Sequence, residues 1–229
     1  MKTIAILQSN YIPWKGYFSM IDRVDEFVIL DQVQFTKNDW RNRNKIKTRE
    51  GIQWLTIPVR QERLEQKICE TRVSDARWSR KHWSALTQSY SRAPNFKSYA
   101  DQVETWYAEA GGLEFLSDVN LLFIRRLCAL FGMTTPLTPS TSYALVDDRV
   151  ERLVNICQQS GASRYLSGPA ARAYMNEGSF VARDIQVQWM DYGSFPVYDQ
   201  RFPPFEHGVS MLDMLFNVGA AQPHYFRTR

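Results

Sequence analysis

The loop after the first apolar run concentrates groups that bind ligands: Gln8, Tyr11, Trp14, Lys15, Gly16 and Tyr17 fall within ten positions. An amide, an ammonium and three aromatic rings on one loop can hold a hydroxyl, an anion and a ring, and Gly16 permits close backbone approach. A second apolar run ends at Asp31, and Gln34 follows three residues later. A carboxylate there suits proton abstraction from an attacking amine, or the holding of a sugar hydroxyl or a metal-bound water. Between Lys37 and Arg49 six basic residues face one acid, Asp39, a local excess of five positive charges that attracts phosphate. Inside that segment Asn42, Arg43, Asn44 and Lys45 interleave amides with cations, giving forked donors for phosphate beside groups for hydroxyls. Ser167 and Gly168, ahead of Pro169, form a second anion cradle at the head of a helical pattern. Tyr192, Tyr198 and Gln200 make a polar aromatic loop able to stack on a base or a sugar ring. Each group also has an ordinary structural use: packing for the rings, a helix cap for Asp31, a tight turn for Ser167–Pro169.

Other chemistries lack their signatures. The chain has no GxSxG elbow and no Walker A loop. Its three cysteines, Cys69, Cys128 and Cys157, are isolated, and two of them sit in apolar helical patterns that favour buried thiols. The histidines, His82, His207 and His224, have no metal-ligand spacing, so no histidine-held metal is expected. His82 reads as a surface or core-edge residue of an amphipathic helix. A net charge of +4 with no zinc-finger spacing, RNP1 string or basic heptad argues for a small phosphorylated ligand over duplex DNA. The most apolar stretch, Leu121 to Phe131, contains Arg125 and Arg126, so no membrane span is expected. The opening residues read as a first strand rather than a signal peptide, which implies a cytoplasmic protein.

The elements that must position these groups follow from periodicity. In a chain of 229 residues that is 44% hydrophobic and 23% charged, one substantial core is expected. TIAIL (3–7), a turn, YFSMIDRV and FVIL (27–30) read as strand, helix, strand, the start of an α/β fold whose ligands bind beyond the carboxyl ends of parallel strands. GIQWLTIPV (51–59) reads as a third strand, and an amphipathic helix ending at Pro94 brings Trp78, Trp83 and Leu86 to a core. Helices are expected over 98–109 and 113–131, and over DDRVERLVNICQQSG, capped by Asp147 and stopped by Gly161. SRYLSG and IQVQWMDY bracket a helical segment as strand, helix, strand, and Ser210 with Asp213 forms a capping-box pattern ahead of SMLDMLFNVG. The expectation is a single α/β domain over 1–229, a Rossmann-like, mostly parallel sheet with a helical insertion at about 62–139.

QSNYIPWKGYF from Gln8, DQVQF from Asp31, WRNRNKIKT from Trp40, WLTIPV from Trp54, YLSGPAARAY from Tyr165, MDYGSFPVYDQRF from Met190 and SMLDMLFNVG from Ser210 closely resemble the WbqC-like protein family. The resemblance covers most of the chain outside the helical middle. It implies a bacterial protein of O-antigen or other surface-polysaccharide assembly, a pathway rather than a mechanism. On that implication the leading expectation is an enzyme that transfers an acyl or aminoacyl group to the amine of a nucleotide-activated sugar. Asp31 would take the amine's proton, Lys15 or Arg43 would stabilise developing negative charge, and Gln34 would assist. A weaker similarity links Trp14–Tyr17 to the HxGH motif of nucleotidylyltransferases and ligases, which would bring ATP and magnesium, although both histidines are missing here. The third reading is a non-catalytic RNA- or nucleotide-binding protein that uses the basic aromatic surface.

Overall fold

A computed structural model describes residues 1–227. Five short strands form one all-parallel sheet in the order β7-β2-β1-β8-β9: β1 (Thr3–Leu7), β2 (Glu26–Ile29), β7 (Leu137–Pro139), β8 (Arg164–Ser167) and β9 (Gln186–Trp189). The central strands β1 and β2 are nearly continuous apolar runs because helices cover both faces, as parallel sheets require. On one face Ile4, Ile6, Val28 and Leu30 pack against Leu153, Val154, Ile156 and Cys157 of helix α5 (Arg149–Gln159) and Phe180 of the short α6 (Glu177–Val181). On the other, Ala5, Phe27 and Ile29 meet Phe18 and Ile21 of α1 (Lys15–Asp22) and the larger core beyond it. The alternation along β1 and β2 assigns each residue to its face. This is the α/β Rossmann-like arrangement expected from the strand, helix, strand pattern.

Between β2 and β7 the chain leaves the sheet. It forms the antiparallel hairpin β3 (Arg43–Thr48) and β4 (Gly51–Thr56), a two-stranded pair β5 (Val59–Arg60) and β6 (Arg72–Val73), and the helices α2 (Trp78–Tyr90), α3 (Phe96–Ala110) and α4 (Leu116–Leu130). The helices fall where their periodicity placed them. Leu137–Pro139, inside the segment read as an insertion, is an edge strand of the main sheet. The basic segment is, from Arg43 to Thr48, a hairpin strand.

Two caps differ from expectation. Asp148, not Asp147, caps α5, accepting the amides of Val150 at 2.9 Å and Glu151 at 2.8 Å. Ser210 does cap α7 (Met211–Val218) through the amide of Leu212 at 3.2 Å, but the Asp213 carboxylate turns into the core. Cys128 and Cys157 are buried, and burial pushes both thiols up to about 12. Among the described residues no helix is long and apolar enough to cross a membrane, and no cluster of three His, Cys, Asp or Glu is placed to hold a metal ion.

Candidate functional site

In the strand order, β1 has β2 on one side and β8 on the other. The chain leaves β1 towards α1 on one face of the sheet and leaves β8 towards α6 on the opposite face. Where successive connections diverge, the carboxyl ends of the strands are left uncovered and a crevice opens. A cavity of about 890 Å³ occupies that place. Its floor is Leu7 and Gln8 at the end of β1, Leu30 and Gln32 after β2, and Ser167 and Gly168 at the end of β8. The first turns of α5 and the loops at 33–41 and 65–67 build its sides.

Four cations and three acids line the wall. Arg41 is held by Asp39 at 2.8 Å, and Asp39 also accepts the amide of Trp40. Arg152 donates to the carbonyls of Val146 at 2.7 Å and Asp147 at 2.8 Å, which fixes its guanidinium at the start of α5. The Arg149 guanidinium carbon stands over Tyr174, 3.3 Å from the ring centroid, and Lys67 reaches Gln32 at 3.5 Å. Neither Arg149 nor Lys67 has a carboxylate partner among the described residues. A guanidinium with its donors unspent and an ammonium without a carboxylate partner are groups that can hold an anion. Gln34 is fixed by its donation to the Leu64 carbonyl at 2.7 Å.

Of the residues expected at the site, Gln8, Gln34, Ser167 and Gly168 line this cavity. Asp31 lies beneath it: 6% exposed, it accepts the Ser9 amide at 2.8 Å and the Ser9 hydroxyl at 2.7 Å, tying the ends of β1 and β2 together. Desolvation raises its pKa against the lowering effect of those bonds. Tyr17 donates to the Gln8 carbonyl at 3.0 Å and so supports the floor from inside the core. Tyr11 is fully buried, its hydroxyl 2.8 Å from both His82 Nδ1 and the Tyr107 hydroxyl. His82 is therefore a core residue, 7% exposed, rather than a surface one.

On β3 the amides point inward. Asn42, just ahead of β3, donates across the base of the hairpin to the Ile57 carbonyl at 2.9 Å, and Asn44 donates to the carbonyls of Tyr11 at 3.0 Å and Ile12 at 2.8 Å, which fastens the hairpin to the body. Arg43 and Lys45 take the other face of the strand, away from the crevice.

Lys15, Tyr198 and Gln200 belong to a second, buried polar centre. The fully buried Asp213 accepts Tyr90 at 2.7 Å, Tyr198 at 2.6 Å and Gln200 at 2.7 Å. Desolvation raises its pKa against the pull of these donors. Lys15 donates to the Pro196 carbonyl at 2.9 Å, with its ammonium 5.3 to 5.4 Å from the rings of Phe195, Tyr198 and Phe205. Burial lowers this ammonium to about 8, partly offset by Asp213. Gly16 serves Trp14: a Cβ there would stand 2.2 Å from the indole, which packs edge-on to Tyr192 at 4.9 Å between centroids. At the head of α1 the WKGY segment thus builds a packed corner.

Sequence reasoning missed Lys67, Arg149 and Arg152. Arg149 had a readable signal, because a cation in the first turn of a helix opposes the helix dipole.

A protein of Mycobacterium tuberculosis strain H37Rv, described as the uncharacterized protein Rv1507c, is 47% identical over 228 residues, which span 99% of this chain and 98% of that relative. No solved structure matches the chain. The model of the WbqC-like protein family matches residues 8–225, so the chain is a member of the WbqC-like family.

Proposed function

We propose that this chain is a transferase of surface-polysaccharide assembly that moves an acyl or aminoacyl group onto the amine of a nucleotide-activated amino sugar, with the diphosphate held in the switch-point cavity. The carrying observation is the pairing of Arg149 and Lys67, both without a carboxylate partner among the described residues, with the amides of Gln8, Gln32 and Gln34 in one crevice. The cations suit a diphosphate, and the amides and the Ser167 hydroxyl suit sugar hydroxyls. In the transfer, the amine nitrogen attacks the carbonyl carbon of a thioester or ester donor. A C–N bond forms, the C–S or C–O bond breaks, and the proton lost by nitrogen leaves with the thiol or alcohol. Glu65 and Asp147 are wall carboxylates without an ion pair among the described residues, and they are the groups that would carry this proton.

The test is a thermal-shift and calorimetric panel of uridine and thymidine diphosphate sugars against the parent, Arg149→Gln and Lys67→Gln. A ligand at about 100 times its dissociation constant stabilises by about 2.7 kcal/mol. Each substitution should weaken binding by roughly tenfold or more, the size of a lost charge-assisted hydrogen bond, without changing the unliganded midpoint. No binding by any diphosphate sugar, or binding indifferent to both substitutions, refutes the assignment. With a binder identified, a thioester donor and the variants Glu65→Gln and Asp147→Asn test the transfer step by turnover.

A further inference from the structure

The outer face of the β3–β4 hairpin carries an aromatic and cationic cluster that the reading above does not use. Lys45 stands opposite Trp54 in the strand register, and Trp40 packs on Trp54 with ring centroids 5.3 Å apart. Folding leaves both indoles well exposed, Trp40 at 39% and Trp54 at 38%. The Arg43 guanidinium lies 4.2 Å over Trp54, and the Lys45 ammonium is 5.3 Å from Trp54 and 5.7 Å from Trp40. Neither cation has a carboxylate partner among the described residues. Behind this shelf is a pocket of about 370 Å³ between Trp14, Trp40 and Pro13, with Lys45 at its side and Asn10 within it. The side-chain oxygen of Asn10 and Nε of Arg43 are buried without a partner in the protein.

Residues 39–41 separate this pocket from the crevice: Asp39 and Arg41 line the crevice while Trp40 lines the pocket. The two sites therefore use opposite sides of one short segment. Two indole walls select a ring, and an ammonium and a guanidinium without carboxylate partners select an anion beside it.

We infer that the Trp14–Trp40 pocket is a second ligand site, which takes a phosphate monoester bearing a ring, with the ring against Trp40 and the phosphate on Lys45 and Arg43. The ring can be the base of a nucleoside monophosphate or the pyranose of a sugar phosphate, and the indole walls admit either.

Calorimetry on the full chain with uridine monophosphate, glucose 1-phosphate, glucose and inorganic phosphate decides the matter. At least one of the two ring phosphates should bind saturably, more tightly than glucose or phosphate alone, and the preferred one identifies the source of the ring. Lys45→Gln and Trp40→Phe should each weaken that binding, Lys45→Gln by roughly tenfold, while Arg149→Gln in the crevice leaves it unchanged. Four results overturn the inference: no saturable heat up to about 10 mM; equal affinity for inorganic phosphate; unchanged affinity in Lys45→Gln; or loss on Arg149→Gln alone, which would assign the ligand to the crevice. Because the crevice and pocket variants are disjoint, failure of one reading does not carry the other with it.

Discussion

His82 offers a quantitative test of the core that anchors the candidate site. Its Nδ1 takes the Tyr11 hydroxyl at 2.8 Å, Tyr11 is joined to Tyr107 at 2.8 Å, and the other ring nitrogen bonds the backbone at Thr56. The ring is neutral in this arrangement, and desolvation lowers its pKa from 6.5 to about 4. Because the folded value lies below the unfolded one, the unfolded chain holds the extra proton between the two. Stability is thus lost as pH falls through 6.5 and is fully lost below about 4. With these two values, the contribution from His82 falls by about 2 kcal/mol between about pH 7 and about pH 5. Asp31 and Asp213 have raised values and shift stability the opposite way, so the parent profile alone is a composite. The difference between the parent and His82→Gln cancels them. Urea unfolding at the two pH values should show the parent losing about 2 kcal/mol relative to the variant. A difference independent of pH, or one favouring the parent at acid pH, refutes the buried neutral histidine.

Two further substitutions probe the frame around the sites. Asp213→Ala leaves Tyr90, Tyr198 and Gln200 without their shared acceptor, and urea denaturation should register a loss of about 3 to 5 kcal/mol; a loss below about 1 kcal/mol, the value of an ordinary hydrogen bond, would contradict the role given to this centre. Gly16→Ala places a Cβ 2.2 Å from the Trp14 indole and should cost about 1 to 3 kcal/mol by forcing the ring from its seat, and an unchanged melting midpoint would show that Trp14 yields freely.

The parallel strands and the helices were legible because their signals are local. TIAIL and FVIL could be strands of a covered sheet, and the three- and four-residue spacing of α3 and α4 admitted little else. Gln8, Gln34, Ser167 and Gly168 were legible as lining residues of the crevice for a related reason, since they lie at or beyond strand ends, and strand ends are where an α/β sheet opens its crevice. The direction of side chains was harder to read. Asn42 and Asn44 alternate with Arg43 and Lys45 in the sequence, and alternation alone says that the two sets part company but not which set faces the body. The body's carbonyls of Tyr11 and Ile12, which Asn44 serves, decide it, since each buried carbonyl needs a donor and an amide can serve where a cation would lose its water.

By itself, then, the sequence determined an α/β chain of the WbqC-like family, with a basic segment and ligand-suited loops after its strands. Only the tertiary structure decided that Arg149 and Lys67, residues far apart in the chain, line one cavity without a carboxylate partner among the described residues, and that Asp31 and Lys15 are buried and hydrogen-bonded inside the protein. The physical reason is that periodicity and turn chemistry are properties of neighbours along the chain. The freedom of a charge is set by what packs against it, and here that depends on β8 returning to the far side of β1.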